Sequence, residues 1–357
     1  MLKKIFKGFL YLLIPLSLVG LYFYIFPVYS DFWISEERFY TRFHSEWFDS
    51  PQNGFHTWES IIEWLEEYDE LVREFDVYHR CFIWGDCSVI APNMTEIEKQ
   101  ESLTLLLQDT QKLDAFWEIV RNFIAESENL TRQYSFISAL NYNPSPDSEI
   151  ALWPEALYLT YLRSFTRWML FYLDIIPRSE ANSLLISYHR FLSWLSIHLD
   201  DSLVSYLSLI EILETLYNYF EVQLPMLSPA FQRLHLRVFE EHDVAKDMIE
   251  NGIKVEYNYQ RLLFDALEDW NISSNNTWWF NPIPFFFYNH ADSINILQKI
   301  FSEALEGDCE FEISLNGRNY IGRLLFDFSN CHLFSSQFRK QAELLNQRQA
   351  IIDLLSD

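Results

Sequence analysis

The sequence predicts a mainly all-α protein, an irregular antiparallel helical bundle that follows one N-terminal transmembrane helix. Three observations carry this. Glycine occurs 8 times in 357 residues, roughly a third of ordinary usage, which disfavours glycine-rich phosphate loops and dense hairpins. Apolar residues recur at steps of three and four through most of the chain, the spacing that gathers one face of a helix. An apolar run without a charged side chain occupies residues 8–30. The expected segments are a cytoplasmic tip and anchor over 1–30, an N-terminal helical region over 31–140 and a C-terminal bundle over 149–357.

At about 1.5 Å per residue, the run over 8–30 spans about 35 Å as a helix, enough for a hydrocarbon core about 30 Å thick. Lys3, Lys4 and Lys7 precede it, whereas Asp31, Glu36 and Glu37 follow it. Basic residues are retained on the cytoplasmic side, so the N-terminus is expected inside and the body outside. Tyr22, Tyr24, Tyr29 and Trp33 crowd the far end, where amphipathic rings favour the headgroup layer. A cleaved leader ending at Val28, Tyr29 and Ser30 competes with the anchor, but the run is longer than the usual core of about 7–15 residues.

In the body, Ile61, Leu65, Tyr68, Val72 and Phe75 follow Thr57 at helical spacing, with Glu59, Glu63, Glu66 and Glu67 on the wet side. Thr95 and Glu98 have capping-box spacing and open a tract through Leu113, Trp117, Val120 and Ile124, with a break expected near Asp109. A polar stretch over 141–148, with Pro144 and Pro146, reads as a linker. Helices are then expected over 154–174, 179–199, 201–221, 228–241 and 243–269. Pro177, Pro225 and Pro229 separate several of them, and Ser179 and Ser228 stand at N-cap positions. Connections this short make neighbours antiparallel.

Beyond Trp270 an asparagine-rich loop leads into an aromatic segment broken by Pro282 and Pro284. Prolines at that spacing forbid a regular helix. Trp278, Trp279 and Phe280 are therefore a candidate surface for a partner or ligand, with rings packed onto the bundle as the structural alternative. A helix is expected from Asn289 or His290 to Glu306. Alternation over 310–315 then runs into Asn316 and Gly317, a hairpin signal, so one short strand or hairpin is expected near 310–318. Helices over 319–331 and 335–355 complete the chain.

The four cysteines, Cys81, Cys87, Cys309 and Cys331, form two sequence-local pairs, an even count that suits an oxidising compartment. Bridges Cys81–Cys87 and Cys309–Cys331 would each contribute about 2–3.5 kcal/mol in the chain-entropy model. Unpaired thiols compete, because nearness in sequence does not ensure the Cα separation of about 5.5 Å that a bridge needs. Neither pair has zinc-knuckle spacing.

Motifs for chemistry are few. No nucleophile elbow, phosphate loop, dinucleotide fingerprint or His-Glu-Xaa-Xaa-His is present. His235, Glu240, Glu241, His242 and Asp243 form the densest ionisable cluster, and His198 with Asp200 and Asp201 repeats the pattern at a helix junction. Capping and surface roles are expected for both, with Asp243 capping the following helix. No catalytic residue, cofactor, metal or nucleotide is assigned. A net charge of −25 would repel a phosphate backbone, so no nucleic-acid partner is expected either.

The Asn-Pro-Ser-Pro at 143–146, the helix over 157–173, the run over 203–216 and the Asn-Gly-Arg-Asn-Tyr-Ile-Gly-Arg-Leu-Leu at 316–325 together resemble a group of uncharacterised, single-pass membrane-anchored helical proteins of Gram-negative bacteria. The likeness covers about the C-terminal 60% of the chain and brings no activity with it; the scarcity of alanine is a departure. It implies an anchor in the inner membrane and a periplasmic body. The function expected from all of this is a protein–protein interaction or assembly factor of the cell envelope, with an envelope protein as partner and the bilayer met through residues 8–30. An envelope enzyme or binding module acting on glycan or lipid-linked glycan is the alternative.

Overall fold

In the computed structural model, which describes residues 36–43, 50–67, 110–138, 157–173, 176–223, 226–273, 290–306 and 332–356, the apolar periodicities become nine helices among the described residues. We label them α1 (Phe55–Glu67), α2 (Thr110–Gln133), α3 (Leu157–Leu173), α4 (Arg178–His198), α5 (Leu203–Gln223), α6 (Pro229–Glu241), α7 (Met248–Ser273), α8 (His290–Glu306) and α9 (His332–Ser356). Two strands of two residues each, β1 (Ile137–Ser138) and β2 (Leu199–Asp200), pair in parallel, with Ile137 opposite Leu199 and Ser138 opposite Asp200.

The chain divides into two compact units. One holds residues 40–256 and 336–357 and therefore α1 to α6, both strands, the start of α7 and most of α9. Within it α1 buries Trp58, Ile61, Ile62 and Leu65, one helical face, against α2 and α3. Helix α2 contributes Phe116, Val120, Phe123 and Leu130 by the same periodicity. Phe123 lies 4.5 Å from Phe165 of α3, and Phe191 of α4 meets both Phe123 and Trp58. Bulky rings thus occupy the positions that alanine would fill in a tighter bundle.

Helices α4 and α5 are buried on more than one side. Helix α4 is flanked by α2, α3, α5 and α6 and hides Leu185, Tyr188, His189, Leu192 and Ser196 around much of its girth. That enclosure explains why its sequence shows no single clean apolar stripe. On α3, Thr166 Oγ1 donates to the Leu162 carbonyl at 2.7 Å and lies 2.5 Å from the Tyr188 hydroxyl.

The connection into α1 depends on Asn53. Its Oδ1 accepts from the Phe55 and Ser138 amides, while its Nδ2 donates to the Ser138 carbonyl at 2.9 Å. One side chain thereby starts a helix and extends the edge of the sheet. Glycine is required next to it, since a Cβ on Gly54 would lie 2.9 Å from Tyr134 Cγ.

The second unit holds residues 1–39 and 257–335. Its described core stacks Phe39 on Tyr257 at 3.9 Å and sets Tyr257 edge-on to Phe301 at 5.9 Å. Asn258 Nδ2 donates to the Phe39 carbonyl at 2.9 Å. Leu297, Ile300, Phe301 and Ala304 form the buried stripe of α8.

Several local expectations change. Helix α4 begins at Arg178 with Pro177 at its N-cap, so Ser179 is inside the helix rather than capping it. Ser228 stands at the N-cap position of α6, with Pro229 at the start of the helix, but its hydroxyl makes no capping hydrogen bond. Asp243 does not cap α7, which starts at Met248 after an irregular stretch that ends in a turn at Lys246 and Asp247; Asp243 faces Arg348 at 3.3 Å instead. The sheet over 137–138 and 199–200 was not anticipated, because two-residue strands carry too few side chains to print an alternation. The predicted anchor at 8–30 and hairpin at 310–318 lie outside the described residues. Among the described residues, no helix is long and apolar enough to cross a membrane.

Candidate functional site

Three polar constructions interrupt the apolar interior of the larger unit. The first centres on Asp200, which is fully buried at the end of β2. Its carboxylate accepts from Thr41 Oγ1 and from Asn251 Nδ2, each at 2.8 Å. Asn251 Nδ2 also donates to the Tyr206 hydroxyl, which itself donates to the Leu199 carbonyl. The Arg42 amide donates to Asn251 Oδ1 at 3.0 Å, and its guanidinium closes the carbonyls of Ser196 and Ile197 at the end of α4. Burial pushes the Tyr206 hydroxyl pKa up, with Arg42 opposing. Next in sequence, Asp201 accepts from the Ser202 amide and Ser205 Oγ, and burial pushes its pKa up to about 6 against those bonds.

These acids were expected in capping and surface roles. Asp200 is instead an interior acceptor, and Ser202, whose Oγ accepts from the Ser205 amide, caps α5. The arrangement ties a segment near residue 42 to the ends of α4, α5 and α7. Both of its carboxylates are engaged by hydrogen bonds from within the arrangement.

The second construction is a histidine layer. His235 was expected at the surface, yet it is buried and its Nε2 lies 3.1 Å from Asn182 Oδ1. Asn182 Nδ2 is already donating to the Arg178 carbonyl, so Oδ1 is an acceptor and His235 carries its proton on Nε2. Burial lowers the His235 pKa to about 4. His189 is fully buried among Phe239, Phe220 and Tyr217, and neither of its ring nitrogens has a hydrogen-bond partner. Burial lowers its pKa to about 3, with Arg348, His235, His242 and Arg190 adding in the same direction. Among the described residues, no group of His, Cys, Asp and Glu is placed to hold a metal ion.

The third construction is open. A cleft of about 290 Å³ lies where α3 and α5 end and where α4 and the turn before α6 begin. Leu173, Ile176, Ala181, Leu185, Phe220 and Leu227 supply its apolar wall, and Arg178, Asn182, Tyr219 and Gln223 its polar points. Among the described residues, no carboxylate lines it. Met226 forms part of its lip and is 56% exposed. Asn182 joins the cleft to the histidine layer through its bond with His235. We take this cleft as the candidate site, because it combines concavity, apolar surface and a small set of oriented polar groups.

None of these cleft residues was singled out in the sequence. The only trace was the punctuation by Pro177 and Pro229, which marks helix ends but not their convergence. The residues that the sequence did single out, Trp278, Trp279 and Phe280 as a candidate surface and Cys81, Cys87, Cys309 and Cys331 as candidate bridges, lie outside the described residues. No protein-family model, curated protein or solved structure matches this chain.

Proposed function

We propose that the protein is a membrane-tethered, extracytoplasmic helical factor of the cell envelope that works by binding another protein. The cleft between the ends of α3, α4 and α5 carries this reading. It is small, walled by apolar side chains and, among the described residues, without an acidic one in its lining, in a chain with 51 acidic and 26 basic residues. Val222 at 61% and Met226 at 56% exposure leave large apolar groups uncovered beside it. Uncovered apolar groups around a concave apolar site favour a partner surface, where one buried anchor contributes most of the binding energy. The glycan alternative requires two carboxylates about 5–9.5 Å apart in a cleft. Among the described residues the cleft has none, and Asp200 and Asp201 already accept hydrogen bonds from groups packed around them.

The tether and compartment rest on the uncharged run over 8–30 and the lysines before it. Two measurements test the proposal together. A phosphatase reporter fused after Asp357 should be active, whereas activity of only a cytoplasmic reporter would reverse the orientation. A photo-crosslinking amino acid at Val222 or Leu354, both exposed, should join the protein to a discrete envelope polypeptide in living cells. Failure at every exposed apolar position would remove the interaction reading.

A further inference from the structure

The geometry points to the occupant of the cleft: the apolar C-terminus of a partner polypeptide, its last large side chain against Leu185 and Phe220 and its terminal carboxylate on Arg178. This rests on the interaction reading and makes it specific. Size is the first argument. At about 290 Å³ the cleft falls at the lower edge of the range of roughly 300–1,000 Å³ for small-molecule sites, and it suits one or two large side chains.

Charge is the second argument. Among the described residues Arg178 is the one charged group in the lining, and the protein otherwise carries a large acidic excess. An anionic group approaching most of this molecule is repelled; at this cleft the described lining offers it a guanidinium. Arg178 is exposed, and one of its terminal nitrogens donates to the Met226 carbonyl at 3.3 Å, which holds the side chain across the lip. A planar guanidinium suits a carboxylate better than an ammonium does, because it offers paired donors.

The third argument is the polar floor. Arg178 and Asn182 are one turn apart on α4, and Asn182 is fixed from both ends, by the Arg178 carbonyl and by His235. Gln223 faces the same space from α5. A chain terminus has a carboxylate and a backbone amide close to its last side chain, which matches a cation at the lip, amide-type partners on the wall and apolar residues within.

The test uses the full chain in detergent micelles and a dye-labelled pool of hexapeptides ending in Leu, Phe or Tyr, read by fluorescence polarisation. The free-acid pool should bind, and the same pool amidated at its C-terminus should bind at least tenfold more weakly. Arg178→Ala should lose a similar factor and Arg178→Lys only part of it. Ala181→Trp, which fills the cleft, should abolish binding; if that variant does not fold, Gln223→Trp fills it from the opposite wall. Equal binding of acid and amide, no binding of either pool, or full binding by the filled variant would each overturn the inference. Binding of dodecanoate without binding of the peptide pool would overturn it too, and would make the site one for lipid. Failure here with crosslinks still formed at Val222 or Leu354 removes this occupant and leaves the interaction reading standing; failure of both removes both.

Discussion

Arg42 and Asp247, 205 residues apart, meet side-on: Nε of the guanidinium donates to one carboxylate oxygen at 3.2 Å and Nη2 to the other at 2.5 Å. The two ends of the pair differ in burial. The Arg42 side chain is 16% exposed and Asp247 is 50% exposed. Arg42 also satisfies the carbonyls of Ser196 and Ile197, which the end of α4 leaves open. Arg42→Ala should therefore destabilise the unit by about 2 kcal/mol, because it removes the partner of a part-buried carbonyl and of an exposed one as well as an ion pair. Asp247→Asn should cost less than about 1 kcal/mol, the range for half-exposed pairs. Urea denaturation of the two variants checks this, and similar losses would show that the pair rather than the carbonyl closure matters.

Gly252 supports a second prediction. A Cβ there would lie 2.9 Å from Tyr206 Cδ2 and 3.0 Å from the Leu203 Cα. The ring cannot swing away freely, since its hydroxyl is held by Asn251 and the Leu199 carbonyl, and a backbone atom on the other side cannot give. Alanine would gain up to about 1 kcal/mol in helix propensity. Overpacking at about 1–3 kcal/mol outweighs that, so Gly252→Ala should lower the melting temperature. At Gly54 a Cβ would meet Tyr134 Cγ at 2.9 Å and Cβ at 3.1 Å, the root of a ring whose hydroxyl Thr57 also holds, and Gly54→Ala should lower the melting temperature as well.

The histidine layer fixes a direction of pH dependence. His189 and His235 titrate at about 3 and about 4 in the folded protein and at about 6.5 when unfolded. Above pH 6.5 both are neutral in both states and contribute no slope. Between about pH 6.5 and 4 the unfolded chain binds two protons that the folded chain excludes. Stability therefore falls on acidification by about 1.4 kcal/mol per pH unit for each histidine. Asp201 acts oppositely: its folded pKa of about 6 lies above its unfolded 3.8, so it adds stability as pH falls from 6 to 3.8. The net expectation for the three groups is a loss of about 1.4 kcal/mol per pH unit between pH 6 and 4. Denaturation midpoints measured across pH 7 to 4 check the sign; a flat profile would mean that the two histidines are solvated.

How far the sequence carried the fold follows from what each feature needs in order to be seen. Helices α1 to α9 were legible because their buried residues, such as Trp58, Ile61, Ile62 and Leu65, repeat within a window shorter than the element. Their exact starts were less so. Pro177 took the N-cap of α4 from Ser179, and a turn at Lys246 and Asp247, after the buried Val244 and Ala245, delayed α7 to Met248. The burial of Asp200 and His235 was invisible, because their partners Thr41, Asn251 and Asn182 are 159, 51 and 53 residues distant. A run of acids near a histidine reads as a wet surface until the long-range acceptor or donor is known. The cleft was hidden for the same reason: it is a property of four chain segments meeting, with no motif of its own.

His189 separates the energetic cost of the layer from its packing. Both ring nitrogens are buried without hydrogen-bond partners, and the ring lies 4.3 Å from Phe239 with Tyr217 and Phe220 edge-on nearby. The site thus supplies apolar contacts and withholds polar ones. A buried polar group in that position costs about 1–3 kcal/mol in lost solvation. Leucine is close to histidine in volume and has nothing to desolvate, so His189→Leu should stabilise the unit by about 1–2 kcal/mol at pH 7. It should also remove one of the two protons from the acid slope, leaving His235 and Asp201 nearly in balance between pH 6 and 4. His189→Ala, which opens a cavity among the same rings, should instead destabilise. Thermal melts of both variants at pH 7 and pH 5 decide the matter: a destabilised leucine variant with an unchanged acid slope would mean that His189 is solvated and hydrogen-bonded in solution.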